Sequence, residues 1–309
     1  MGKKTKRAIV ISLALVLGAG MAAYTPELPA AQVEQKYATP ESRFVEIDGL
    51  RVHYRDQGQG PALVLVHGSN ASLQTWEGWV ERLSEDFRVI SLDLPGHGLT
   101  GPDPQGRYDW ISMATLVDQL VQRLKLDTFS LAGNSMGGAV AWNYAVMHPD
   151  KIEKLILIDS RGYPSEEPMP AIFKAYATPV VGHLLTRVTP RAAIASSLRK
   201  VYGDPDKVDA ELVTQYHDLT LRAGNREATR ERLSVPSNDR LLPRIGTITA
   251  PTLILWGTDD SWILPKYATR FLQDIENSTL RLYDGLGHAP MEEDPERTAR
   301  DVRAFLLQR

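Results

Sequence analysis

The chain has 309 residues, of which 43% are hydrophobic and 24% charged. These are ordinary globular proportions that allow one large core and exclude disorder and fibrous repeats. Lysine and arginine total 35 against 38 acidic residues, a net charge of −3, so no broad basic surface suits a nucleic-acid backbone. With no cysteine there can be no disulfide, thiolate nucleophile, CxxC metal site or lipoprotein anchor, although disulfide-free proteins occur in every compartment.

Residues 1–31 read as a targeting segment. Lys3, Lys4, Lys6 and Arg7 precede Ala8 to Tyr24, a run without charge in which Ser12 is the one polar residue among apolar neighbours. As a helix it would span roughly 25 Å, the lower limit for a membrane crossing. A buried amphipathic helix would carry charges with a helical period, and there are none. Small residues at Gly20-Met21-Ala22 offer a cleavage point, but no A-x-A triplet closes the run, which favours an uncleaved anchor over a cleaved signal peptide. The positive-inside bias sends the body across the membrane, anchored and facing the periplasm, or periplasmic or secreted if the segment is removed. The segment carries four bases and Glu27, net +3, which leaves the exported body at −6.

The body alternates strands and helices, the sign of a mostly parallel sheet covered on both faces. Phe44 to Ile47 and Leu50 to Arg55 flank the turn Asp48-Gly49 and predict an antiparallel hairpin. Short apolar runs at Ala62 to Val66, Phe87 to Leu92, Phe129 to Ala132, Lys154 to Ile158 and Thr252 to Trp256 predict strands buried on both faces, with a further strand at Thr279 to Tyr283. Helices are predicted at Leu73 to Ser84, Ile111 to Leu124, Met136 to Met147, Lys266 to Ile275 and Pro295 to Leu307. About ninety residues separate Ile158 from Thr252, far more than a connection needs. That interval, with its proline-rich entry and apolar-periodic stretches Ala192 to Tyr202 and Ala210 to Leu221, predicts a helical cap over 161–236 on a core of 32–160 and 237–309.

The strongest chemical signal is Gly133-Asn134-Ser135-Met136-Gly137-Gly138, a G-x-S-x-G placed between a predicted strand and a predicted helix. A serine on such a turn projects its hydroxyl from the carboxyl edge of the sheet, over a helix N-terminus that favours developing negative charge. His67-Gly68, Asp93-Leu94-Pro95-Gly96-His97-Gly98, Trp256-Gly257-Thr258-Asp259-Asp260 and Gly287-His288 follow the third, fourth, seventh and eighth strands in order. From about Phe44 to its end the chain therefore resembles the α/β-hydrolase superfamily, in the branch with a helical cap after the sixth strand. The resemblance implies an α/β fold with an eight-stranded, mostly parallel sheet.

Ser135 needs a base, and His288, last in the chain order serine, acid, histidine, is the candidate. His67 and His97 sit inside turn motifs and read as structural, while His53, His148, His183 and His217 read as surface or cap residues. An acid on the loop after the seventh strand would orient the imidazole. By resemblance that acid is Asp260; Asp259 and, at the end of the sixth strand, Asp159 are the alternatives. The resemblance also implies an oxyanion hole from the backbone amides of Met136 and Ser69, with Asn70 replacing Ser69 if the loop curls differently. Ser69, Asn70 and Ser72 have a plainer reading as caps of the helix beginning near Leu73.

The reaction implied is acyl transfer from a small-molecule carboxylic ester to water. The runner-up is carbon–carbon bond cleavage of the meta-cleavage product type, whose enzymes resemble this chain in the elbow sequence but usually follow the histidine with tryptophan, where Ala289 stands here. A ligand-binding signalling protein on the same fold is a third reading. An aspartate would be needed at Ser135 for dehalogenase or epoxide hydrolase chemistry. No phosphate loop, dinucleotide fingerprint or HExxH motif is present, so neither cofactor nor metal is implied. Cap residues Met169, Phe173, Tyr176, Val180, Leu184 and Leu185 are candidates for an acyl pocket, though apolar cap residues more often pack on the core. The loop containing Trp76 would also set substrate choice, and Arg199 and Arg222 are candidates for binding a substrate carboxylate, though single cap arginines are more often solvated charges.

Overall fold

The computed structural model describes residues 24–167, 171–235 and 239–308. The apolar run up to residue 23, its candidate cleavage point and Met169 lie outside the described residues. Among the described residues no helix is long and apolar enough to cross a membrane.

The described chain opens with an extended stretch leading into α1 (Ala30–Tyr37). The sequence did not indicate this helix, because it buries only Val33 and so shows little apolar period. Strands β1 (Ser42–Ile47) and β2 (Leu50–Gln57) form the predicted antiparallel hairpin, closed by the pair Ile47 and Leu50. Asp48 and Gly49 both take positive φ, 48° and 82°, as a two-residue turn between right-twisted strands demands. The other six strands are β3 (Ala62–Val66), β4 (Arg88–Leu92), β5 (Phe129–Asn134), β6 (Ile152–Ile158), β7 (Thr252–Gly257) and β8 (Ser278–Tyr283). They join the hairpin in one eight-stranded sheet of order β1-β2-β4-β3-β5-β6-β7-β8. β2 meets β4 antiparallel, and from β4 to β8 every pairing is parallel.

Helices cover both faces, which is why the central strands are apolar throughout. On one face α2 (Glu77–Leu83) and the C-terminal α12 (Pro295–Leu307) pack Trp79, Leu83, Val302 and Phe305 against Leu63, Leu65, Ile156 and Leu255. On the other, α3 (Trp110–Arg123), α4 (Met136–Met147) and α10 (Lys266–Asp274) pack Val117, Val140, Trp142 and Phe271 against Val64, Leu131, Leu157 and Ile254. The single helix expected at Leu73 to Ser84 is divided: a 3-10 turn over Leu73–Trp76 precedes α2, and the Leu73 amide is held by the Asp93 carboxylate at 2.8 Å. None of Ser69, Asn70 and Ser72 is needed as its cap, and Ser72, at the N-cap position, makes no capping bond.

Between β6 and β7 stand five helices: α5 (Ala171–Tyr176), α6 (Pro179–Leu185), α7 (Arg191–Val201), α8 (Ala210–Leu221) and α9 (Asn225–Ser234). Ala195, Leu198, Tyr202, Val208 and Val213 give this layer a small core of its own. The residues just ahead of α1 lie along it. Leu28 donates to Leu221 at 2.8 Å and accepts from Ala223 at 2.9 Å, while Asp218 receives Lys36 at 2.6 Å and the Tyr37 hydroxyl at 2.8 Å.

His53 is not a surface residue. It is fully buried on β2, with Nδ1 2.7 Å from Asp93 and Nε2 2.8 Å from the Ser42 hydroxyl. Burial alone would raise the Asp93 pKa, but His53 and the amides of Leu73 and Leu99 hold it well below the carboxylate range. Asp93 thereby ties the hairpin to the loops at the carboxyl edge of the sheet.

Candidate active site

β5 runs into α4 through Ser135, whose φ of 54° and ψ of −114° are strained for a residue with a side chain. The neighbouring glycines permit this tight turn. A Cβ on Gly133 would strike the Gly137 carbonyl, one on Gly137 the Val66 carbonyl, and one on Gly138 the Ser160 side chain. The turn is tied down by Ser135 N–H donating to Ile158 at 2.9 Å, and by Arg161 N–H donating to the Ser135 carbonyl at 2.9 Å. Met136 opens the first turn of α4, where backbone N–H groups have no intrahelical acceptor. Gly68 lies directly against Ser135 and Asn134, with room for no Cβ, so its loop runs beside the Ser135 turn.

The loops after β7 and β8 bring Asp260 and His288 together: Nδ1 lies 2.7 Å from Oδ2 of Asp260. The other oxygen, Oδ1, accepts the amides of Trp262 at 2.7 Å and Ile263 at 3.0 Å, so the carboxylate cannot rotate away. Asp259 is exposed and bonds its neighbour Thr258 instead. The histidine loop is joined to the serine turn by Asn134, whose side-chain amide donates to the His288 carbonyl at 3.0 Å and to Ile158 at 3.2 Å. It is joined to the cap by the His288 amide, which donates to Val201 at the end of α7 at 2.6 Å.

His67 and His97 serve the loops, as their turn motifs predict. Burial lowers the pKa of both, so they stay neutral. His67 donates from Nδ1 to Gly68 at 2.7 Å and accepts the Leu94 amide on Nε2 at 3.0 Å; His97 donates to Pro95 at 2.9 Å. Asn70, with φ of 58°, turns its side chain toward Arg232 of α9, 3.4 Å away. Burial, with the nearby charge of Arg161, pushes the Arg232 pKa down to about 10, leaving a full positive charge over this loop at neutral pH.

Two further carboxyls belong to the site. Asp159, which ends β6 with φ of 44°, is completely buried; its Oδ1 accepts the Gly257 amide at 3.0 Å and its Oδ2 has no N–H donor. Burial, and then the charge of Asp260, raise its pKa well above the carboxylate range. The folded protein therefore favours the protonated acid at Asp159, beside the Asp260 carboxylate. Among the described residues Asp159, Asp260 and His288 are the grouping with metal-ligand spacing, their ligand atoms all within 4.8 Å of one another. The hydrogen bonds just described already occupy Asp260 and Nδ1 of His288. The sequence offered Asp159 only as an alternative acid.

Glu293, at the end of α11 (Pro290–Glu293), was not singled out from the sequence. Its buried carboxylate collects three amides, Gly203 at 3.0 Å and Asp204 at 2.8 Å from the cap and Gly287 at 2.9 Å from the histidine loop. Glu293→Gln keeps the shape but turns an NH2 toward N–H donors. It is expected to cost about 2–4 kcal/mol in urea unfolding and to lower kcat about tenfold, because His288 loses its support. Unchanged kcat in a destabilised variant would show that the clasp serves folding only.

Of the proposed acyl-pocket residues, Phe173 packs its ring 5.6 Å from Trp262 and the Tyr176 hydroxyl donates to Leu185 at 3.2 Å. Val180 and Leu184 face outward, 73% and 63% exposed, so they do not line an enclosed pocket. Trp76 is buried against Trp79, and Arg222 covers Gly101 rather than standing in solvent.

A family model described as the alpha/beta hydrolase family matches residues 63–301. The chain is 30% identical over 285 residues to a 2-hydroxy-6-oxononadienedioate/2-hydroxy-6-oxononatrienedioate hydrolase of Burkholderia vietnamiensis, covering 86% of this chain and 95% of that one. A membrane phospholipase A described as a bacterial virulence factor superposes with a TM-score of 0.72 at 26% identity, covering 98% of both chains. A thermophilic esterase from Thermogutta terrifontis gives 0.73 at 25% identity, covering 86% of this chain and 97% of that one.

Proposed function

Because the chain belongs to the alpha/beta hydrolase family, we propose that it is a serine hydrolase of carboxylic esters, with Ser135 as nucleophile, His288 as general base and Asp260 as its orienting acid. The observation that carries this reading is the His288–Asp260 pair at 2.7 Å, held on loops that also grip the strained Ser135 turn. With Nδ1 engaged by Asp260, Nε2 of the neutral ring is the acceptor, which is the tautomer a base for Ser135 needs. The hydroxyl proton passes to Nε2 as Oγ bonds to the ester carbonyl. The resulting oxyanion is met by the amides of Met136 and Ser69, each donor contributing roughly a hundred- to thousand-fold in rate. Collapse expels the alcohol with the proton from His288, and water repeats the sequence on the acyl-enzyme.

The substrate class favoured is an acyl ester of lipid type. Likeness to a membrane phospholipase A extends over 98% of the chain, which takes in most of the basic and apolar N-terminal sequence as well as the hydrolase body. The same likeness supports residues 1–31 as a membrane anchor holding the enzyme at a bilayer. A second reading, carbon–carbon bond hydrolysis, is favoured by identity to the Burkholderia vietnamiensis hydrolase; Ala289 after the histidine is the feature that sets this chain apart.

The test is steady-state hydrolysis of p-nitrophenyl esters of increasing acyl length, with pre-steady-state release of p-nitrophenolate. A burst matching the enzyme concentration, and an optimum at medium or long chains, is expected. A folded protein inert to every ester but active on a 2-hydroxy-6-oxo-dienoate would establish the second reading instead.

A further inference from the structure

Three of the eight exposed large apolar side chains among the described residues share one helix, and two of them are the most exposed of all. Val180 (73%), Val181 and Leu184 (63%) lie on one short cap helix, α6, and Tyr24 is exposed as well. The chain around Tyr24 is fixed beside that helix. The Thr25 amide donates to Arg187, two residues beyond α6, at 2.9 Å; Thr189 donates to the Thr25 hydroxyl at 3.1 Å; and Arg226 of α9 donates to the Thr25 carbonyl at 2.9 Å. The uncharged run Ala8 to Tyr24 therefore ends beside the chain that leaves the C-terminal end of α6.

Charge marks the same region. From Pro168 to Gly203 the chain contains no aspartate or glutamate, yet it holds Lys174, Arg187, Arg191, Arg199 and Lys200, within a body whose net charge is −6. Glu227 of α9 meets His183 of α6 at 3.4 Å, but an apolar helix within a stretch of chain whose own charges are all basic suits a surface that is apolar inside and anionic at its rim. An acidic protein partner would use the charge but not Val180 and Leu184. Three large apolar side chains exposed on one short helix, near the point where an apolar segment joins the fold, mark an interaction face rather than a solvated surface.

We propose that the face formed by Tyr24, Val180, Val181 and Leu184 is seated in a lipid bilayer, so that the cap over the Ser135 site opens toward the membrane and takes acyl esters from it. This rests on the reading of residues 1–31 as an anchor and of the enzyme as a lipid ester hydrolase. The contacts of Thr25 tie the chain directly after that segment to the cap.

Absence of native cysteine makes the test clean. Single-cysteine variants of the full chain, Leu15→Cys, Val180→Cys, Leu184→Cys and Leu282→Cys, are made on a Ser135→Ala background so that vesicle lipid is not consumed. Each is labelled with an environment-sensitive fluorophore and reconstituted in phosphatidylcholine and phosphatidylglycerol vesicles with and without doxyl-labelled phosphatidylcholine. Leu282, about half exposed on the edge strand β8, is the solvent reference. The expected result is at least twofold quenching by doxyl lipid at positions 180 and 184, and none at 282. Quenching at 15 without quenching at 180 and 184 keeps the anchor and overturns the seated cap. No quenching at 15, 180 or 184 overturns both. A blue shift at 180 and 184 that doxyl lipid leaves untouched assigns the face to a second protein chain and overturns the proposal.

Discussion

Ser135→Ala is expected to lower kcat/KM for the best p-nitrophenyl ester by about 10⁵-fold while leaving the fold intact, because the substitution removes the nucleophile and nothing else. Its effect on stability separates chemistry from strain. Alanine still carries a Cβ at a φ of 54°, so the unfavourable backbone persists. Glycine at the same position removes the crowding, and Ser135→Gly is expected to be just as inactive but more stable than Ser135→Ala by about 1–2 kcal/mol. For a domain of this size that is a rise in Tm of roughly 1.5–3 °C. The comparison is read by calorimetry beside the ester assay. Residual turnover above about 1% in Ser135→Ala would show that another group supplies the nucleophile, and equal melting of the two variants would show that the elbow stores no strain.

The parts of this site legible in the sequence are those whose determinants are local. Gly133, Ser135 and Gly137 lie within one strand-turn-helix unit, and their spacing between a predicted strand and a predicted helix points to a close turn. The resemblance to relatives whose acid stands third after this glycine prefers Asp260 over Asp259, and the structure buries the first and exposes the second. What stayed hidden depends on chain segments far apart. Glu293 gathers amides from residues 203, 204 and 287, and Thr25 meets residues 187, 189 and 226; no periodicity within a window reports such contacts. His53 was misplaced for the same reason, since its partner Asp93 lies on another strand's loop and the alternation of β2 alone makes position 53 look outward. Helix α1 was missed because its stability comes from docking along the cap, through Asp218 and Leu221, rather than from its own amphipathicity.

The protonated Asp159 gives the second large expected effect, because it decides how Asp260 behaves when either is changed. Asp260→Asn should lower kcat/KM by about 10⁴-fold, since an amide can present N–H to Nδ1 and stabilise the wrong tautomer. Asp159→Asn should do almost nothing to kcat/KM or to the position of its acid limb. Asparagine tolerates the φ of 44°, accepts the Gly257 amide through its oxygen and offers an N–H where the carboxylic acid offered O–H. Asp159→Leu removes that donor and is expected to cost tenfold or more in kcat. Stability supplies the independent readout. The pKa of Asp159 is raised in the folded protein above its unfolded value near 3.9, so its contribution is full below about pH 4 and is lost as pH rises toward the folded value. Asp159→Asn abolishes that loss: urea unfolding should show wild type and variant converging near pH 4, with the variant drawing steadily ahead as pH rises from there toward the folded pKa. If Asp159 were ionised instead, its removal would take a negative charge from beside the imidazole. The acid limb of kcat/KM would then move to lower pH by about a unit or more, a shift that a neutral partner cannot produce.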